Sequence, residues 1–272
     1  ILGRVATQPT CDAPWTVQRL LTWTRDYFER SSVDDPRLAA EVLLSHVLNC
    51  RRIELYARFD RIPSEAERAR FRDLVKRAAA QEPVAYLTGE REFFSLRFRV
   101  TPDVLIPRPE TELLVERVLD YCKQREMSAP RILELGVGSG CILVSVLKRS
   151  AAALGTGVDV SAAALEVARS NGQRHGVEAR LNLVEADWLN LPAAAIPPEK
   201  FDVLVANPPY IAETGVASLP ECIRAFEPHV ALTDGADGLA FYRRIAEQAR
   251  EVLKPDAGVF VEVGVDQAET VT

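Results

Sequence analysis

The sequence predicts an α/β protein, in which a parallel sheet with helices on both faces follows a small helical bundle. Three observations carry that expectation. From residue 131 onward, short apolar runs alternate with helical stripes, the pattern of strand–helix–strand units. A glycine-rich turn stands directly behind the first of those runs. Residues 15 to about 82 carry helical periodicity throughout.

In the first part, Val17, Leu20, Leu21, Thr24 and Phe28 fall at helical spacing and form one apolar stripe. Asp35-Pro36 supplies an N-cap and a first-turn proline for a second helix carrying Leu38, Val42, Leu43 and Val47. Ser64-Glu65-Ala66-Glu67 has the form of a capping box and opens a third helix reaching about Gln81. The expected domains are therefore 1–82, helical and assigned to substrate recognition by position alone, and 109–272, joined by a linker over 83–108. Within the linker, residues 93–100 alternate well enough for a short strand or hairpin. Pro107-Arg108-Pro109 stops regular structure, and 110–124 resumes as a helix. Strands are then expected at 131–135, 155–160, 181–185, 201–206 and 258–263, with helices at 141–148 and 161–175. A further helical stripe runs through Leu239, Tyr242, Ala246, Ala249 and Leu253.

Composition narrows the function. Hydrophobic residues make up 47% and charged residues 26% of 272, enough to build a core in two domains. A net charge of -6 argues against tight sequence-blind binding to nucleic acid, which needs many phosphate-neutralising cations. No apolar run approaches the roughly 18–20 residues of a membrane helix. Residues 1–14 lack the basic stretch and apolar core of a signal peptide. The chain opens on Ile1 rather than Met, so the native start is expected upstream. Five scattered cysteines without a C-x-x-C pair read as free thiols in a reducing, cytoplasmic compartment, with no metal site.

Four motifs carry chemistry. Glu134-Leu-Gly136-Val137-Gly138-Ser139-Gly140 lies between a strand and a helix, where glycines let the chain turn tightly and approach a ligand. Alone it is a weak signal, since many such turns merely join elements. Asp159 ends the next strand, where a carboxylate can accept from both hydroxyls of a ribose or can simply cap a helix. Together the two favour a nucleoside-containing cofactor. Asp187-Trp188, after the third strand, offers an acceptor for an adenine amino group and a face for a flat base, although a tryptophan is more often core. The fourth motif decides the matter. Asn207-Pro208-Pro209-Tyr210 leaves the strand at 201–206 as a stiff loop stripped of two N–H donors. The Asn207 side-chain oxygen and the Pro208 carbonyl can each accept one hydrogen of a planar NH2 group, with Tyr210 packed beside it.

These motifs together resemble those of a class I (Rossmann-like) S-adenosylmethionine-dependent methyltransferase acting on a planar nitrogen. The finer resemblance is to the HemK/PrmC family, the N5-glutamine methyltransferases of peptide chain release factors. Val104-Leu-Ile-Pro-Arg-Pro-Glu-Thr-Glu112, Glu227-Pro228, Asp234-Gly-x-Asp-Gly-Leu239 with Tyr242-Arg243, and Pro36-Arg37-Leu38 through Leu55-Tyr56 carry it across nearly the whole chain. The resemblance implies that Glu134, Gly136, Val137, Gly138, Ser139 and Gly140 hold the methionine part of the cofactor. It likewise implies Asp159 at the ribose, Asp187 and Trp188 by the adenine, and Asn207 close to the cofactor. Asn207, Pro208, Pro209 and Tyr210 would hold the substrate glutamine, with Asn207, Pro208 and Tyr210 as the catalytic set. Two departures stand out: Glu134 occupies a position where Asp is commoner, and the family's last two strands lie beyond Thr272, which implies a truncated or disordered end.

The mechanism so implied is direct, in-line methyl transfer without covalent intermediate or metal, driven by orientation and fixed dipoles. No His, Cys or Lys stands in the motifs as a base, and His46, His175 and His229 are expected to be structural or solvated. Three readings compete: a glutamine methyltransferase of a ribosomal protein, an N-P-P-Y methyltransferase of nucleic-acid amino groups, and a nicotinamide-dependent oxidoreductase. The partner expected is a release factor, with no membrane and no nucleic-acid target.

Overall fold

The computed structural model describes residues 14–188 and 190–271. The chain divides into two compact units, one ending at Thr88 and the other beginning at Gly89.

The first unit is helical: α1 (Val17–Arg30), α2 (Pro36–Val47), α3 (Arg52–Tyr56), α4 (Glu65–Ala79) and α5 (Val84–Thr88). Helix α1 buries Val17, Leu20, Thr24 and Phe28, the stripe its spacing predicts. Asp35 caps α2 by accepting from the Leu38 amide, and Pro36 takes the first helical position. The capping box of α4 forms: the Glu67 amide donates to Ser64 Oγ, and the Ser64 amide to the Glu67 carboxylate. Phe28, Leu43, Leu44, Leu55, Phe71 and Val75 fill the core between these helices. Helix α5 lies within the stretch read as a linker, so 83–108 contributes to both units.

The second unit opens with the hairpin β1 (Glu90–Phe93) and β2 (Leu96–Arg99). Phe94 and Ser95 at its turn both have positive φ, as a two-residue hairpin turn of matching twist requires. Then follow α6 (Glu112–Gln124), β3 (Arg131–Leu135), α7 (Cys141–Arg149), β4 (Leu154–Asp159), α8 (Ala162–Arg174), β5 (Leu181–Glu185) and β6 (Phe201–Ala206). Two short helices, α9 (Glu213–Val216) and α10 (Glu221–Arg224), precede α11 (Ala240–Val252), β7 (Leu253–Val261) and α12 (Ala268–Val271).

Among the described residues the main sheet has the order β5-β4-β3-β6-β7, and every pairing in it is parallel. Alternate residues of its central strands feed two cores. Ile132, Val203 and Val205 face α6 and α7, with Phe93 and Phe98 of the hairpin in the same cluster. Leu133, Leu135, Leu204 and Ala206 face α11 through Ile245, Ala249 and Val252. Both faces of the sheet are therefore covered, and its central strands read as continuous apolar runs for that reason. One difference from the sequence reading is that Leu253, assigned to the last helical stripe, opens β7 instead. A register shift between Phe201 and Val203 accommodates the start of that strand. No helix among the described residues is long and apolar enough to cross a membrane.

Candidate active site

The chain leaves β3 for β4 and β5, then returns to β6 on the other side of β3. The strand order thus reverses between β3 and β6. In an open parallel sheet such a reversal opens a crevice beyond the carboxyl ends of the strands, because the two flanking connections diverge there. All four motifs stand at that edge. A cavity along it is lined by Glu134, Gly136, Val137, Gly138, Ser139, Asp159, Asp187, Trp188, Asn207 and Pro209. Gly140, Pro208 and Tyr210 lie outside the lining.

The glycine turn is built for tightness. Gly136, Gly138 and Gly140 have φ of +69°, +50° and +76°, a region that side chains rarely adopt. Gly140 is the N-cap of α7 yet has no side chain to cap with. Glu134 does that work, accepting from the Leu143 amide at 2.9 Å. It is 1% exposed, and burial, reinforced by the nearby Asp159 charge, pushes its carboxyl well above the ordinary range. A cation entering the cavity would favour the charged form of this carboxyl and draw its pKa back down. Asp159 accepts from the Gly138 amide at 2.9 Å and the Ser161 amide at 3.0 Å, one on each carboxylate oxygen. Each oxygen keeps a further lone pair for a ligand hydroxyl.

At the far end of the cavity, Trp188 is buried and stacks on Phe241 with ring centroids 4.0 Å apart. Its indole runs under the turn, 3.8 Å from where a Cβ on Gly136 would stand. Asp187 is paired with Arg244, whose guanidinium donates to the carboxylate at 3.0 Å and to the Asp187 carbonyl at 3.2 Å.

The loop after β6 is pinned from behind. Pro208 and Pro209 are buried. Gly238, at φ +80°, is so close that a Cβ there would lie 2.3 Å from the Tyr210 carbonyl oxygen. Gln267 Nε2 donates to that same oxygen at 3.0 Å. Asp234 holds the Gly238 segment by accepting from the amides of Ala236, Gly238 and Ala240. Asn207 Nδ2 donates to Thr111 Oγ1 at 3.2 Å, and Thr111 Oγ1 donates to Glu262 at 2.7 Å. Burial pushes the hydroxyl of Tyr210 up, as does the neighbouring Glu262 charge.

Known proteins resemble this chain over most of its length. A family model described as the PrmC N-terminal domain matches residues 19–89, and a methyltransferase-domain model matches residues 127–270. A release factor glutamine methyltransferase of Rhodopirellula baltica is 41% identical over 93% of this chain and 85% of its own. Another of that name, from Bordetella pertussis, is 48% identical over 86% and 84%. The chain belongs to the release factor glutamine methyltransferase family. Its α/β fold is the class I methyltransferase fold behind a helical N-terminal domain. The catalytic domain of hMettl16, solved with a hairpin of the MAT2A 3'UTR, shares that fold at 17% identity and a TM-score of 0.51, over 70% of this chain and 68% of its own.

For this family member the site contains residues that sequence reasoning passed over. Phe241 and Arg244 come from α11, Thr111 comes from the turn before α6, and Glu262 is the first residue after β7. Asn171 is fully buried on α8, and its amide donates to the carbonyls of Ser139 and Arg99 while accepting from the Arg99 amide. It thereby fixes the glycine turn to the hairpin. Thr111 lies within the stretch from Val104 to Glu112, but no residue of that stretch identifies its partner. His175, expected to be structural or solvated, bonds to the Arg97 carbonyl at 2.9 Å and packs on Phe98.

Proposed function

We propose that this chain transfers a methyl group from S-adenosylmethionine to the side-chain amide nitrogen (N5) of the glutamine in the Gly-Gly-Gln loop of a peptide chain release factor. It thus acts in translation termination, in the cytoplasm. The observation that carries this reading is Asn207-Pro-Pro-Tyr210 standing beside the glycine turn at the switch point of the sheet. Asn207, an acceptor for a planar amide, and the glycine turn then line one cavity.

The residues present fit S-adenosylmethionine. The cavity grades from the carboxylates of Glu134 and Asp159 to the aromatic surface of Trp188 and Phe241. That order suits a cationic amino-acid end, a ribose and a flat base. A dinucleotide fits poorly, because the two arginines of the lining, Arg108 and Arg244, already pair with Glu227 and Asp187. Glu134 would hold the ammonium, Gly136 to Gly140 the methionine backbone, and Asp159 the ribose hydroxyls. Trp188 and Asp187 would bound the adenine.

Bound S-adenosylmethionine supplies a methyl group made electrophilic by its positively charged sulfur. The chain must orient a poor nucleophile, since an amide lone pair is delocalised into its carbonyl. Asn207 Oδ1 and the Pro208 carbonyl each accept one amide hydrogen, which aims the nitrogen and favours positive charge developing on it. Pro208 and Pro209 supply no N–H to compete, and the stiff loop is oriented before substrate arrives. Tyr210 flanks the substrate plane.

Asn207→Ala is expected to bind S-adenosylmethionine with near-parental affinity and to lose turnover by roughly 100-fold or more, the cost of one preorganised transition-state hydrogen bond. Calorimetry and labelled methyl transfer measure the two. Retained turnover would remove Asn207 from the mechanism.

A further inference from the structure

We propose that Thr111 and Glu262 are positioning residues that lock the Asn207 side-chain amide in the single orientation presenting its oxygen to the substrate. The proposal rests on the reading above, in which Asn207 accepts a hydrogen from the substrate amide.

The nitrogen and oxygen of an asparagine amide are nearly equal in size, so packing alone does not choose between its two flipped orientations. Only the direction of its hydrogen bonds can choose. Were Asn207 flipped, it would point an NH2 group at the substrate NH2, donor against donor. The selection therefore matters to the reaction, and three side chains from separate parts of the chain make it. Thr111 Oγ1 donates to Glu262 Oε2 at 2.7 Å, and Asn207 Nδ2 donates to Thr111 Oγ1 at 3.2 Å.

The polarity follows from counting hydrogens. A hydroxyl has one, and an ionised carboxylate has none. The Thr111 hydrogen goes to Glu262, so Oγ1 has only lone pairs left for its third neighbour. Whatever Asn207 turns toward Thr111 must be a donor, and that is its NH2. A flip would set Oδ1 against Oγ1 with no hydrogen between them. Thr111 is 2% exposed, so water has little access to repair such a contact. Glu262 is itself only partly exposed. Burial and the neighbouring Glu110 charge leave its carboxyl above the ordinary range, and hydrogen bonds from Thr111, Tyr210 and Asn207 work against that shift, toward the charged form the relay uses. Asn207 thus meets two acceptors on this side, and its oxygen is left for the cavity that it lines.

The main chain at Glu262 is held independently of its carboxylate. Its amide donates to the Ala206 carbonyl at 3.0 Å, and its carbonyl accepts from the Tyr242 hydroxyl at 2.8 Å. Substitutions of the Glu262 side chain therefore probe the relay with strand β7 still anchored.

The test compares Thr111→Val, which keeps the shape and removes the hydroxyl, with Thr111→Ser, which keeps the hydroxyl. Each is also combined with Asn207→Ala. Thr111→Val is expected to lower kcat for methyl transfer to a release factor by roughly 10- to 100-fold, the cost of an unmade hydrogen bond in the site. S-adenosylmethionine affinity should stay within about twofold, and serine should restore most of the rate. Because Thr111 acts through Asn207, adding Thr111→Val to Asn207→Ala should cost less than about twofold more. A parental rate in Thr111→Val overturns the proposal, as does a full, additive loss in the Asn207→Ala background. If Thr111→Val fails to bind S-adenosylmethionine, Glu262→Gln takes its place. It lets both polarities form, so kcat should fall with affinity unchanged and with the same coupling to Asn207, and a parental rate again overturns the proposal. The two readings separate cleanly. Turnover retained by Asn207→Ala sinks the role of Asn207 itself, whereas an inactive Asn207→Ala beside a fully active Thr111→Val sinks only the relay.

Discussion

Gly238 lies outside every motif proposed to hold the cofactor or the amide, yet its replacement by alanine should slow catalysis by about 100-fold. A Cβ at this position would stand 2.3 Å from the Tyr210 carbonyl oxygen, 3.0 Å from its carbon and 3.1 Å from the Ala212 nitrogen. Ordinary carbon contacts begin near 3.5 Å, so the Tyr210 peptide must retreat by about 1 Å. The retreat also strains the bond from Gln267 Nε2 to that oxygen. A displacement of about 1 Å in groups that orient a substrate costs roughly 100-fold in rate. Stability should fall as well, by about 1–2 kcal/mol for an alanine at φ +80° and about 1 kcal/mol for the weakened hydrogen bond. Gly235 supplies the control. Its φ is +72°, but nothing lies within 4 Å of its would-be Cβ, so Gly235→Ala carries the backbone strain without the collision. Thermal unfolding and kcat, measured on both variants, separate the effects. Gly235→Ala should lose stability and keep its rate to within about twofold, and Gly238→Ala should lose both. If Gly238→Ala turned over at the parental rate, the claim that this contact pins the Asn-Pro-Pro-Tyr loop would be refuted.

Three further outcomes follow from the same geometry. Asn171→Ala leaves the Arg99 amide and carbonyl and the buried Ser139 carbonyl without their partner, so chemical denaturation should register a loss of roughly 2–4 kcal/mol, and a loss below about 1 kcal/mol would contradict the network. Burial raises the folded-state pKa of Glu134 above its unfolded value, so the native state holds this proton more tightly. The stability that the proton confers is complete below the unfolded pKa of about 4 and is lost as the pH climbs through the folded one. Without cofactor, Glu134→Gln should therefore gain in melting temperature relative to the parent as the pH is raised from about 4, and a pH-independent difference would contradict the assignment. Trp188→Ala removes the aromatic wall stacked on Phe241 and should weaken S-adenosylmethionine binding by about tenfold, measured by calorimetry, with unchanged affinity counting against the adenine placement.

The strand–turn–helix units were legible because each is local. The turn from Glu134 to Gly140, the capping box at Ser64 and the Asn-Pro-Pro-Tyr exit from β6 are written in consecutive residues. So was the common edge, since parallel strands joined by helices must all end on the same side. The partners of those motifs were not legible, because distant folding brings them together. Thr111 meets Glu262 across 151 residues, Asn171 meets Arg99 across 72, and Arg244 meets Asp187 across 57. The hairpin turn was hidden for a different reason. Phe94 and Ser95 take positive φ without the Asn-Gly or Gly signature that marks such turns, and the Phe94 amide is held by Glu112 at 2.9 Å. Glu134 shows how one residue can carry two duties. The family resemblance implied a cofactor-holding residue there, and only the fold reveals that it also caps α7 in place of Gly140.

The central claim is the reaction itself. Its most direct test is methyl transfer from labelled S-adenosylmethionine to a purified bacterial release factor, run beside the same factor with the glutamine of its Gly-Gly-Gln loop changed to alanine. The account predicts label in the unaltered factor alone, located on that glutamine. Equal label in both, or none in either while S-adenosylmethionine still binds, would contradict it.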